Sequence, residues 1–235
     1  MMERSSIGWQ KQPGKPNIQG EIENAIKEIT GEEVELFASG RTDAGVHSFG
    51  QIANFKTDSN IDICKIPIAL NSKLKKSIVI KNAEEVDESF HSRYNAKGKK
   101  YRYIINNSIT GSAIYRDLEY HMSIKLDVES MKKAIKYFEG EHDFKGFKSS
   151  GTSSKNSVRT IYKAEILENN DRIIIELTGN GFLYNMVRII SGTLVDVGLG
   201  KIKPEDIPEI IESKDRTKAG KTLPAHGLYL VEVYY

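Results

Sequence analysis

Isoleucines recur at helical spacing at Ile18, Ile22, Ile26 and Ile29, which predicts a helix capped by Asn17, running to Thr30 and stopped by Gly31. Short apolar runs at Val34–Ala38 and Gln51–Phe55 read as strands. Residues 61–74 read as helix interrupted at Pro67, because a proline ring cannot continue an interior turn. Residues 77–86 read as a further strand, running into an acidic patch at Glu84–Glu88. A basic loop at Lys97–Lys100 then enters a strand reaching Ile105. Met131, Ala134, Ile135 and Phe138 line one side of a helix over 127–138 that Gly140 ends. Arg159–Glu168 and Arg172–Thr178 predict two antiparallel strands joined at Asn169-Asn170. Residues 182–197 predict a long helix, Lys203-Pro204 opens a short one, and residues 227–234 close the pattern as a strand. Residues 13–16 read as a turn, and Ser149–Ser157 as a mobile polar loop.

Strands and helices alternate in both halves with hairpins between them, which argues for an α+β fold with mainly antiparallel sheet. A boundary at the turn before the basic strand divides the chain into domains 1–95 and 96–235. The length, 235 residues, suffices for two small domains and an ample core. Hydrophobic residues make up 39% and charged residues 28%, an ordinary globular mix that excludes a disordered chain. A net charge of +2 does not announce a nucleic-acid binder, so such a function must come from local clustering. The single cysteine, Cys64, excludes an internal disulfide and any multi-cysteine metal site and fits a reducing compartment. No apolar run approaches the roughly 18 residues of a membrane span, and Met1–Gly8 lacks the apolar stretch of a signal peptide. The expectation is a cytoplasmic protein.

The most specific stretch is Gly40-Arg41-Thr42-Asp43-Ala44-Gly45-Val46-His47, a loop between two short strands. Its glycines permit a tight turn, and an aspartate on such a loop is displayed where chemistry tends to sit. In an extended segment Arg41 and Asp43 point to the same side. A nearby guanidinium holds a carboxylate ionised against desolvation, the state a carboxylate nucleophile needs. Taken alone, an aspartate beside a glycine is more often a turn residue bonded to its own backbone. On the basic strand, Tyr101 and Tyr103 share a face and Arg102 takes the other. Such tyrosines are either core packing or a platform for an unstacked base, with Lys99 and Lys100 on phosphates. Arg188 interrupts an apolar helix, so it either snorkels or needs a carboxylate partner. The five histidines, His47, His91, His121, His142 and His226, have no metal-site spacing. Hydrolase-elbow, P-loop and dinucleotide fingerprints do not occur.

The octapeptide and its continuation through Gly50-Gln51 closely resemble the active-site motif of the tRNA pseudouridine synthase A family. Gly8-Trp9-Gln10, Phe90–Tyr103, Met186–Gly192 and Gly227-Leu228-Tyr229-Leu230 extend the resemblance over nearly the whole chain. It implies a pseudouridine synthase fold, with two α/β domains, abutting sheets and the active site in the cleft between. It implies that Asp43 is the catalytic aspartate, and that Tyr101 packs on the target uracil with its hydroxyl placed for proton transfer. It implies that Arg188 lies beside Asp43, leaving Tyr103 as packing. Arg41 becomes a candidate to fill the space left by the flipped base, and His47 to hold the loop or touch RNA. The implied substrate is a uridine at tRNA positions 38 to 40, the implied assembly a homodimer with one tRNA across both protomers. The isomerisation needs no cofactor or metal, because nothing is oxidised and nothing is lost. A carboxylate glycoside hydrolase is disfavoured because the loop offers no second acid, and an idle RNA-binding module because Arg41, Asp43 and Tyr101 are all in place. The family opens with an apolar strand and Tyr-Asp-Gly, which Met1–Ile7 does not supply. The expectation is a chain that starts downstream of the usual start, with Met1–Ser6 irregular.

Overall fold

A computed structural model of the chain describes residues 8–11, 16–151 and 156–235. The expectations for the N-terminal seven residues, for the turn at 13–16 and for the centre of the polar loop fall on or run into positions outside the described residues. The described chain divides into two compact units. One holds the residues up to Gly45 together with Gln51–Ala96, and the other holds Val46–Gly50 together with Lys97–Tyr235.

In the first unit, helix α1 spans Ile18–Thr30, with the Asn17 side chain accepting from the Gly20 N–H and Gly31 closing it at φ 81°. Both caps answer backbone groups that the helix cannot satisfy itself. Its inner face, Ile22, Ala25 and Ile26, packs with Trp9, Leu36 and Leu70. Strands β1 (Phe37–Ala38) and β3 (Ala53–Asn54) form a two-residue antiparallel ladder, far shorter than the predicted runs. The reason is local: Leu36 bonds side chains of α1 instead of a strand, its N–H donating to Glu23 Oε1 and its carbonyl accepting from Gln19 Nε2. A single helical turn at Ile63–Lys65 leads into α2 (Ile66–Lys73), where Pro67 opens the helix rather than breaking it. The strand expected over 77–86 does not form. Ile78 and Ile80 still pack on the core, but the Asn71 amide takes both backbone groups of Ile80 at 2.8 Å. An asparagine amide thus replaces the ladder.

The second unit is built on a sheet ordered β2-β9-β4-β8-β7-β6, with β5 beside the end of β4. These are β2 (His47–Ser48), β4 (Gly98–Asn106), β5 (Tyr120–His121), β6 (Gly140–Asp143), β7 (Val158–Asn169), β8 (Arg172–Gly179) and β9 (Leu228–Tyr234). Pairings are antiparallel except β2 on β9 and β5 on β4. Asn170, at φ 53°, makes the β7–β8 turn where two asparagines were expected to make it. Helices α3 (Val128–Ile135), α4 (Met186–Gly198) and α5 (Ile207–Ser213) contribute to one core with the sheet. Met131, Ile135, Ile190, Leu194 and Ile211 meet Tyr103, Ile105, Ile175 and Leu177 there. Helix α4 begins at Met186, not at residue 182, because Asn185 adopts a left-handed conformation that no helix interior accepts. Among the described residues, no helix is long and apolar enough to cross a membrane.

Candidate active site

The motif loop is braced from three sides within its own unit. Gln51 donates through Nε2 to the Gly40 carbonyl at 2.8 Å, and its Oε1 accepts from Ser39 Oγ at 2.5 Å. The Ser39 N–H donates to the Ile52 carbonyl. The Trp9 N–H donates to the Thr42 carbonyl at 3.1 Å, one residue before Asp43. Gly45 turns the chain at φ 83°, where a side chain would be strained. Asp43 is half-buried on this braced loop, and Arg41 is exposed beside it. Neither Gln51 nor Trp9 was singled out for chemistry from the sequence. Their signal was that both lie in stretches carrying the family resemblance.

Val46–Gly50 continues the motif but belongs to the second unit. His47 pairs with Tyr229 across β2 and β9, stacks on its ring at 4.8 Å, and meets the Asp117 carbonyl through Nε2 at 3.0 Å. Its visible work is therefore to hold the segment. Gly50 is needed because a β-carbon there would run into the Val231 carbonyl.

On β4 the alternation is as expected. Tyr101 sits at the rim of the core, edge-on to Phe182 at 5.1 Å and 77°. Tyr103 is fully buried, and its hydroxyl donates to the Pro224 carbonyl at 2.8 Å. Burial pushes its phenol well above the usual tyrosine range. Between the pairs Lys100–Glu232 and Tyr101–Leu230 the register skips Val231, so β9 carries a bulge opposite the Lys100–Tyr101 step. Lys99 shares the face of Tyr101. Lys100 lies on the other face, its ammonium 2.5 Å from Glu176 Oε2. Arg102 grips Glu176 Oε1 at 2.5 Å through Nη2 and at 2.7 Å through Nε. Burial alone would raise the Glu176 carboxyl, but the hydrogen bonds and charges of these two cations outweigh it and hold the group below its ordinary value. In this structure the Lys100 charge is engaged with Glu176, a partner the sequence did not point to.

Arg188 lies in the first turn of α4. Its Nε donates to the Leu223 carbonyl at 2.7 Å and its Nη1 to Asn185 Oδ1 at 2.6 Å. Asn185 and Leu223 were not foreseen as its partners. Asp43 and Arg41 thus belong to the first unit, and His47, Lys99, Lys100, Tyr101 and Arg188 to the second. Among the described residues, no group of three or more histidine, cysteine or acidic side chains is placed to hold a metal ion.

The family model described as tRNA pseudouridine synthase matches residues 5–95 and 134–235. The chain belongs to the tRNA pseudouridine synthase family. It is 57% identical over 229 residues to the tRNA pseudouridine synthase A of Acetivibrio thermocellus, covering 97% of this chain and 93% of that one. The enzyme of the same name from Caldicellulosiruptor saccharolyticus is also 57% identical, over 97% and 94% of the two chains. The tRNA pseudouridine synthase A 2 of Clostridium perfringens is 53% identical over 98% and 95%. A solved Cbf5-Nop10-Gar1 complex aligns with a TM-score of 0.35 and 15% identity, over 82% of this chain and 49% of that one, a likeness too slight to add anything. Lys99, Lys100, Tyr101 and the rest of β4 fall between the family model's two matched segments, while the relatives span them.

Proposed function

We propose that the protein isomerises uridine to pseudouridine in tRNA, at positions 38 to 40 on the 3′ side of the anticodon stem-loop, with Asp43 as nucleophile. Identity of more than half over nearly the whole chain supports the reaction. The observation that carries the site is Asp43 on a loop held at Gly40 by Gln51 and at Thr42 by Trp9. Such bracing fixes an attacking carboxylate where a mobile loop could not, and misplacement by about 1 Å costs about 10²-fold.

The reaction breaks the N1–C1′ bond and forms a C5–C1′ bond. The C5 proton leaves and N1 gains one, so atoms balance with no oxidant or metal. In this reading the Asp43 carboxylate makes the covalent intermediate, and Tyr101 stacks on the uracil and moves a proton through its hydroxyl. Arg188 supports the carboxylate, and Arg41 fills the gap left when the base is extruded. Lys99, on the face of Tyr101, meets phosphate. His47 orders the end of the loop. The two domains divide near residue 95, a homodimer binds the tRNA, and the protein works in the cytoplasm.

The test follows from the chemistry, since forming the C5–C1′ bond must release the C5 hydrogen. tRNA carrying uridine tritiated at C5 will release label with the intact protein. Asp43→Asn, which keeps the shape and loses the nucleophile, will release none above background while binding tRNA within about twofold of the parent. Release by the variant at a tenth of the normal rate overturns the nucleophile assignment.

A further inference from the structure

Asn185 occupies the N-cap of α4 at φ 62°, ψ 6°, yet its side chain does not cap the helix. An asparagine there ordinarily accepts from a backbone N–H of the first turn. Here Oδ1 accepts from Arg188 Nη1 at 2.6 Å instead, and Nδ2 donates to Ser149 Oγ at 2.9 Å. Ser149 is itself tied down, its N–H donating to the Tyr184 carbonyl at 3.1 Å.

Two local costs meet at this point. A left-handed residue that is not glycine is disfavoured, although asparagine tolerates it best. A cation in the first turn of a helix lies at the positive end of its dipole, where it is unfavourable by about 0.3–1 kcal/mol. Locally costly arrangements that converge on one group point to a use for that group. The use is visible in the geometry. Arg188 Nε bonds the Leu223 carbonyl and Nη1 bonds Asn185, so two donors of a rigid planar fork are fixed from different elements and the plane cannot turn. Burial of Tyr103 and its bond to the Pro224 carbonyl hold the segment that carries the Leu223 acceptor.

We propose that Asn185 is a positioning residue for the reaction: anchored by Ser149, it sets the plane of the Arg188 guanidinium. This rests on the reading in which Arg188 acts on the catalytic carboxylate. A lysine could not replace the arginine, since one ammonium on a flexible stem cannot hold both acceptors in a fixed plane.

The decisive variant is Asn185→Gly, which keeps the left-handed backbone without strain and removes only the amide. Its melting temperature should equal or exceed the parent's. Its KM for tRNA should stay within about twofold, while kcat falls about 10- to 100-fold, the size expected when a reacting group is misplaced. Ser149→Ala should move kcat the same way by a smaller factor. Nitrogen-15 spectra give a readout that does not depend on turnover. The Arg188 Nη signals should be separate and slowly exchanging in the parent and averaged in Asn185→Gly. Unchanged kcat in Asn185→Gly, with Arg188→Lys impaired, overturns the proposal and leaves the site reading standing. Unimpaired turnover in Arg188→Lys overturns the site reading and takes this proposal with it. Averaged Nη signals already present in the parent would also overturn the positioning role.

Discussion

Tyr101 and Tyr103 stand two residues apart on one face of β4, and burial separates their tasks. Tyr103 is sealed in the core with its hydroxyl spent on Pro224, and Gly227 packs so closely against its ring that a β-carbon would collide. Tyr101 is only partly covered, resting edge-on against Phe182. Tyr101→Phe keeps the ring and should lower the rate of tritium release about 10²-fold with tRNA affinity nearly unchanged. Unaltered release would leave Tyr101 as packing alone. The neighbouring lysines should separate just as cleanly. Lys99→Ala should flatten the dependence of log Kd on log salt by about 0.7–0.9 for each phosphate that the lysine neutralises, with no change in melting temperature. Lys100→Ala should leave that slope intact and destabilise by about 1–3 kcal/mol, because Glu176, 4% exposed, loses one of its two cations. Equal slopes for the two variants would refute this division. The sequence placed both lysines on phosphate. Alternation along a strand could have parted them, but only the position of Glu176 on β8 shows what Lys100 meets.

At the scale of elements, the helices were legible where their caps are local. Asn17, Gly31 and Asp127 act within a few residues of the helix they cap, and apolar spacing marked the faces of α1 and α3. The strands of the first unit are shorter than their apolar runs because Gln19, Glu23 and Asn71 supply bonds that a strand neighbour would otherwise supply, and no periodicity reveals such partners. Helix α4 shows a second kind of constraint. Its Gly192 lies against the Lys221 carbonyl and Gly220, with no room for a β-carbon. Alanine would gain roughly 1 kcal/mol in helix propensity, but backbone-on-backbone overlap must be relieved by shifting the crossing segment, and the steric term wins. Gly192→Ala should lose about 3 kcal/mol, roughly 6–12 °C in melting temperature at this size. A variant that melts with the parent would show that this segment yields.

At the scale of the molecule, acid and base should both loosen the fold, for opposite reasons. Bonds from Ser157 and Lys214 hold the Asp143 carboxyl low, and the cations around Glu176 do the same there. Burial lowers His226 below its ordinary 6.5. In each case the unfolded chain binds more protons than the folded one, so stability falls as pH falls. The decline should begin near pH 6.5 with His226 and steepen below about 4.5 as the carboxylates protonate. Burial raises Tyr103, and raises Tyr229 to about 12, so their contribution is whole below pH 10 and is lost as pH rises from there. Denaturant midpoints measured from pH 4 to 11 should therefore trace a plateau with two falling sides, and a midpoint that rises between pH 7 and 4 would contradict the assignment. The sequence by itself determined the α+β class, the inner faces of α1 and α3, the family, and the loop that carries Asp43, because periodicity, caps and contiguous motifs act over a few residues of chain. Tertiary structure alone decided that residues 46–50 join the sheet of the second unit, that Gln51 and Trp9 brace the motif loop, that Lys100 is spent on Glu176, and that Asn185 and Leu223 hold Arg188. Each of those depends on a partner's direction as well as its identity, and direction is set only when distant elements pack.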